Sequence, residues 1–160
     1  MDFDSVRVLT FDCYGTLIDW EAGILSAMGR ILERHGERRP DEEILTLFGA
    51  VEAHIEASQY RLYEEVLAMV VDGFGDALGF QPSVDERSAL AESVGNWPPF
   101  DDTVPALEAF GRKYRLAVIS NIDDDLFRAS RARLGVEFDE VVTAEQVGSY
   151  KPSLKNFQVA

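Results

Sequence analysis

Three short segments carry side chains suited to covalent hydrolysis, and each sits at the end of an apolar run. Asp12 follows VRVLTF (6–11) and leads into Cys13, Tyr14, Gly15, Thr16 and Leu17. Ser120 and Asn121 close the run RLAVIS (115–120) and open the next loop. Lys151, between Tyr150 and Pro152, follows FDEVVTA (138–144). A carboxylate can attack an electrophilic carbon or phosphorus, and a lysine can keep it ionised and aimed. A hydroxyl beside an amide can grip an anion. Gly15 permits the backbone turn that exposes Asp12, and Thr16 has a hydroxyl that can hydrogen-bond to the Asp12 carboxylate. Taken singly, each residue has a plainer explanation. Aspartate often ends a strand because it favours turns, and a lysine before proline is commonly a solvated loop residue. The three together favour chemistry.

The runs that precede these residues have the character of buried strands. Strands are expected near 6–11, 115–119 and 139–143, with helices between the later ones: one around Leu107 and Phe110, one from Leu126 to Leu134, and one beginning in SLKNFQVA. Such alternation argues for a parallel sheet with crossover helices, in which reactive groups gather at the carboxyl ends of the strands. Between the first strand and the rest the periodicity is helical. Ile24, Leu25, Met28, Ile31 and Leu32 predict one helix stopped by Gly36. From Asp41 to Gly79 the stripe of Ile44, Leu47, Phe48, Val51 and Ile55, continued by Leu62, Val66, Leu67 and Val70, predicts one bent helix or two in succession. A further helix is expected over 84–94, and WPPFDD (97–102) ends the pattern. The expected organisation is a core of 1–19 and 98–160 with a helical domain of 20–97 inserted into it.

Acidic residues outnumber basic ones, 29 to 15, for a formal net charge of −14. That balance argues against nucleic acid and membrane surfaces as partners, while a locally positive pocket remains open to a small anionic substrate. Cys13 is the single cysteine, so neither an intramolecular disulfide nor a cysteine-rich zinc site is expected. The N-terminus lacks the features of a signal peptide, and no segment approaches the apolar length of a membrane span. A cytoplasmic protein is expected, and a homodimer stays open.

FDCYGTL, VISN and YKPS, in this order and with a helical insertion after the first, resemble the first three motifs of the haloacid dehalogenase superfamily. The resemblance covers essentially the whole chain. It implies an α/β fold: a Rossmann-like parallel sheet core with an inserted helical cap. The family's fourth motif would lie on a strand beyond the Lys151 helix, so the C-terminal strands are expected to be missing from a chain that stops at Ala160. Tyr14 points to the L-2-haloacid dehalogenase subgroup, because the superfamily's phosphatases usually carry an aspartate there to protonate the leaving alkoxide. Halide needs no such proton. The resemblance implies Asp12, Thr16 and Lys151 as catalytic residues, with Asp12 displacing halide through an ester and Lys151 orienting it. It implies Ser120 as the residue binding the substrate carboxylate and Asn121 as one touching the departing halide, with Tyr14 beside them. The dehalogenases' halide-binding arginine early in the cap has Gly49 near its place here, which leaves Arg61 as the nearest substrate-binding candidate. No metal or cofactor is implied, and magnesium enters only with the phosphatase alternative, held in part by the Tyr14 carbonyl.

Other residues have plainer readings. Asp123, Asp124 and Asp125 open a helix and suit capping and the helix dipole better than a metal site. His35 and His54 lack ligand spacing, and Cys13 is expected to point into the core. Trp97, Phe100 and Tyr150 suit hinge and core packing more than a substrate cage. Two rivals to the dehalogenase reading are a magnesium-dependent small-molecule phosphatase and a non-catalytic fragment lacking the fourth motif.

Overall fold

Val8–Phe11 (β1), Arg115–Ser120 (β2) and Glu140–Thr143 (β3) form a parallel sheet in the order β1-β2-β3. The computed structural model describes residues 5–159; the outermost positions of the expected core, 1–4 and 160, lie outside them. Phe11 pairs with Val118 and Ser120 with Thr143, so the ends of the three strands come to one edge of the sheet. This is the α/β arrangement that the alternation of strand and helix predicted.

The strands differ in burial. β2 has neighbours on both sides, and every residue after Arg115 is buried. β1 was expected to be buried and is not: Val8 and Thr10 are exposed, and Leu9 and Phe11 are only half-buried. The reason is its place in the sheet. Among the described residues it pairs with β2 alone, so its other edge lacks the cover that a central strand receives.

Between β1 and β2 the described chain is helical: Trp20–Arg34 (α1), Asp41–Glu56 (α2), Tyr63–Leu78 (α3) and Val84–Ser93 (α4), then a 3-10 turn at Val94–Asn96. Asp19 starts α1 by accepting a hydrogen bond from the Ala22 N–H at 3.0 Å, and Gly36 follows its end at φ +73°. The stretch 41–79 is two helices, parted at 57–62. Their buried faces are Ile44, Phe48 and Ile55 on α2 and Val66, Leu67, Val70 and Phe74 on α3. A capping box between Ser83 and Glu86 opens α4. The sheet's own helices are Thr103–Gly111 (α5), Asp124–Leu134 (α6), Ala144–Val147 (α7) and Leu154–Val159 (α8). Among the described residues no helix is long and apolar enough to cross a membrane.

Asp123, at the end of the loop after β2, ties the two regions together. Its carboxylate accepts hydrogen bonds from the N–H groups of Tyr63 and Glu64, both at 2.8 Å, and is itself buried. It therefore caps α3, across the structure, and its side chain does not cap α6, which it precedes. Burial raises its pKa, and the two N–H donors oppose that rise. Asp124 instead receives the Thr143 hydroxyl at 2.7 Å and the Gln146 amide at 2.8 Å. Both aspartates hold structure, but against expectation neither side chain caps the helix they open: Asp123 caps α3 instead, and Asp124 ties down the start of α7. His35 is also structural, stacked on Phe80 and 3.1 Å from Glu86.

Candidate active site

The loop after β1 turns sharply. The Cys13 carbonyl accepts from the N–H groups of Thr16, Leu17 and Ile18 at 3.2, 2.7 and 3.0 Å. Gly15 adopts φ +87°, and a Cβ there would lie 3.0 Å from Trp20 Nε1. The turn needs glycine twice over, for its left-handed backbone and for the close indole. It leaves Asp12 at the sheet edge with its side chain about half exposed (47%).

Lys151 reaches Asp12 from the loop after α7. Its Nζ donates to Asp12 Oδ1 at 2.6 Å and to the Ile119 carbonyl at 2.8 Å. The Cys13 N–H also donates to Oδ1, at 2.8 Å. These two donors on one oxygen leave Oδ2 without a hydrogen bond among the described residues, which suits an attacking atom. Asn121 holds the lysine loop: its Oδ1 accepts from the Lys151 N–H at 2.6 Å, and its Nδ2 donates to the Lys151 carbonyl at 3.2 Å. Ser120 is buried against the same pocket, and its hydroxyl makes no hydrogen bond among the described residues.

The pocket has a volume of about 270 Å³. Asp12, Tyr14, Ser120, Asn121 and Lys151 form its floor, and Trp20, Trp97 and Tyr63 part of its walls. Tyr14 lines it without offering its hydroxyl, which shares a 2.7 Å hydrogen bond with Ser130 of α6. Its ring stands edge-on to Trp97 at 5.9 Å, and burial pushes the phenol pKa far up. Cys13 is fully buried, as expected, and burial and then the Asp12 charge push its thiol up to about 12.

Two expected residues are placed elsewhere. Thr16 is exposed and does not line the pocket; its N–H closes the turn on Cys13, and its hydroxyl makes no hydrogen bond to Asp12. Arg61 is exposed in the segment joining α2 to α3, where its carbonyl accepts from Tyr150 Oη at 2.9 Å. Its guanidinium is not part of the pocket, because the helix break at 57–62 carries residue 61 off the face of α2 that turns inward.

Sequence reasoning missed the aromatic walls, Trp20, Tyr63 and Trp97, and two ionisable residues, Glu52 and Glu56 on α2, all lining the pocket. For the glutamates the signal was available. Ile44, Phe48, Glu52 and Glu56 succeed one another at steps of four, so the buried stripe of α2 continues into two carboxylates. Tyr63 donates its hydroxyl to Glu52 at 2.5 Å. Burial raises the Glu52 pKa, and this hydrogen bond opposes the rise. Burial, with the neighbouring Glu52 charge, raises Glu56 to about 7. As for a cation, Asp12 and the Tyr14 carbonyl are oxygen donors on the loop. Among the described residues no group of three or more His, Cys, Asp or Glu side chains converges on one point.

Known proteins place this geometry in a family. The family model described as haloacid dehalogenase-like hydrolase matches residues 6–160. The (S)-2-haloacid dehalogenase 4A of Burkholderia cepacia is 23% identical over 164 residues, spanning 98% of this chain and 69% of that protein. Among solved structures, the L-2-haloacid dehalogenase PA0810 superposes with a TM-score of 0.83 at 18% identity, over 97% of this chain and 69% of its own. The L-2-haloacid dehalogenase from Xanthobacter autotrophicus with chloropropionic acid covalently bound gives 0.80 at 20% identity, over 96% and 63%. At these identities the structural likeness speaks for the fold, and the family match carries the assignment: this chain belongs to the haloacid dehalogenase-like hydrolases.

Proposed function

We propose that the protein hydrolyses a carbon–halogen bond in a 2-haloalkanoic acid, with Asp12 as covalent nucleophile and the inserted helices as the cap over it. One observation carries the reading: Lys151 binds Oδ1 of Asp12 at the pocket floor while the neighbouring Tyr14 hydroxyl is committed to Ser130. Oδ2 of Asp12 attacks C2, the carbon–halogen bond breaks, and halide leaves with its electron pair. Water then adds to the carboxyl carbon of Asp12 and the ester bond breaks, releasing a 2-hydroxy acid, a regenerated carboxylate and one proton. Halide leaves as a stable anion, so the first step needs no general acid. An alkoxide leaving a phosphate ester does, and such catalysis is typically worth ~10²–10⁴ in rate. Ser120 offers its free hydroxyl to the substrate carboxylate, and Asn121 keeps Lys151 in place through its backbone.

The likeness to a dehalogenase holding covalently bound chloropropionic acid agrees with this chemistry. The test compares 2-chloropropionate with an alkyl phosphate, each with magnesium and with chelator. Halide release that persists in chelator is the expected result. Magnesium-dependent hydrolysis of the alkyl phosphate with no halide release would overturn the reading in favour of a phosphatase.

A further inference from the structure

The pocket is poor in positive charge for a site that takes a carboxylate. Among the described residues its lining has one cation, Lys151, already bonded to Asp12 and to the Ile119 carbonyl. Opposing it are Asp12, Glu52 and Glu56. With all three carboxylates ionised, an anion entering here would be repelled. Of the two on α2, Glu52 receives the Tyr63 hydroxyl, a donor that favours its ionised form. Glu56 makes no hydrogen bond among the described residues, lies one helical turn further along the same face, and opens onto the pocket.

We propose that Glu56 determines substrate specificity by acting as a neutral carboxylic acid, donating a hydrogen bond to the anionic end of the substrate. This deepens the proposed function, resting on its assignment of a carboxylate-bearing substrate. A protonated carboxyl has one O–H donor and no charge, so it can receive an anion where a carboxylate cannot. Two like charges at i and i+4 on a half-buried helix face disfavour double ionisation. Burial raises both carboxyls, but only Glu52 has a hydrogen-bond donor opposing the rise, which leaves Glu56 as the one to keep the proton. The other groups around Glu56 work in the same direction or are neutral. Tyr63 on α3 and Tyr150 ahead of Lys151 are phenols kept un-ionised by burial. Asp12 across the pocket is paired with Lys151. The upward shift of Glu56 to about 7 agrees with this geometry, and a bound anion would raise it further.

The chain's two tryptophans, Trp20 and Trp97, both line the pocket, so intrinsic fluorescence reports its occupancy. The probe is propionate, which has no leaving group and stays ionised between about pH 6 and about pH 8.5. In the wild type its Kd should be level near pH 6 and rise above neutrality, approaching about tenfold per pH unit as Glu56 loses its proton. Glu56→Gln keeps a neutral donor of the same shape, so its Kd should vary less than about twofold over that range. Glu52→Gln should retain the rise and move it to lower pH, because one like charge is gone. A wild-type Kd independent of pH, an equal rise in Glu56→Gln, or no saturable fluorescence change at any pH would overturn the proposal. Halide release is scored separately. Absent halide release alongside pH-dependent propionate binding discards the dehalogenase reaction and keeps Glu56. Halide release with a pH-independent Kd discards Glu56 alone.

Discussion

Asp12→Asn is expected to abolish turnover of a 2-haloacid, a loss of about 10⁴–10⁶-fold of the size seen when a covalent nucleophile is removed. The amide oxygen is a far poorer nucleophile than the carboxylate, and it cannot form an ester that water would later open. The fold should barely register the change. Asp12 is 47% exposed, its partner Lys151 keeps the Ile119 carbonyl at 2.8 Å, and the asparagine oxygen can still accept from the Cys13 N–H. Ion pairs this open to solvent contribute only ~0–1 kcal/mol, so the thermal midpoint should move by a few degrees at most. Halide release and thermal melting, measured on the same preparation, separate the two effects. Activity within about tenfold of wild type would remove Asp12 from the nucleophile's role.

The second large effect concerns stability and reaches the pocket through a glycine on α1, Gly23. In Gly23→Ala the new Cβ would stand 2.2 Å from Cγ of Trp97 and 2.5 Å from its Cδ1 and Cδ2. Trp97 is held by its neighbours: it is 3% exposed, donates from Nε1 to the Ser93 hydroxyl at 2.9 Å, and meets the Tyr14 ring edge-on. Either α1 backs away or the indole breaks these contacts and is driven into the pocket it lines. Overpacking of this kind costs ~1–3 kcal/mol, and turnover should fall as well because Trp97 lines the site. Gly29→Ala on the same helix is the control. A Cβ there meets nothing within 4 Å, so the change should stabilise the protein by roughly 0.5–1 kcal/mol. Equal melting behaviour of the two variants would show that the Gly23–Trp97 contact does not constrain the fold.

The parts of this site that sequence could reveal are those fixed by the backbone's own rules. A strand delivers its last residue to a known edge of a parallel sheet, so Asp12 and Ser120 were legible from the runs before them, and Lys151 from its place after β3. The helical insertion was legible because its apolar period changes at WPPF. What stayed hidden depends on contacts between distant segments. Arg61 looked available until the helix break at 57–62 turned it to solvent, and Thr16 until the turn on the Cys13 carbonyl used its N–H alone. β1 read as buried because its composition is apolar, but composition does not report how many neighbours a strand has. Glu52 and Glu56 were missed for the opposite reason: charged residues on a helix are usually placed outside, and only the step of four from Phe48 placed them inside. Asp123 was recognised as a cap, but it caps a helix 60 residues upstream of itself.

The most direct test of Asp12 as a covalent nucleophile is a single turnover in oxygen-18 water, with enzyme in excess over 2-chloropropionate. Because water attacks the carboxyl carbon of the aspartyl ester, the label should appear in the Asp12 side chain. The first 2-hydroxy acid released should carry the enzyme's unlabelled oxygen. Label found in the product of that first turnover, with none in Asp12, would mean that water attacks the substrate directly, and would contradict the account.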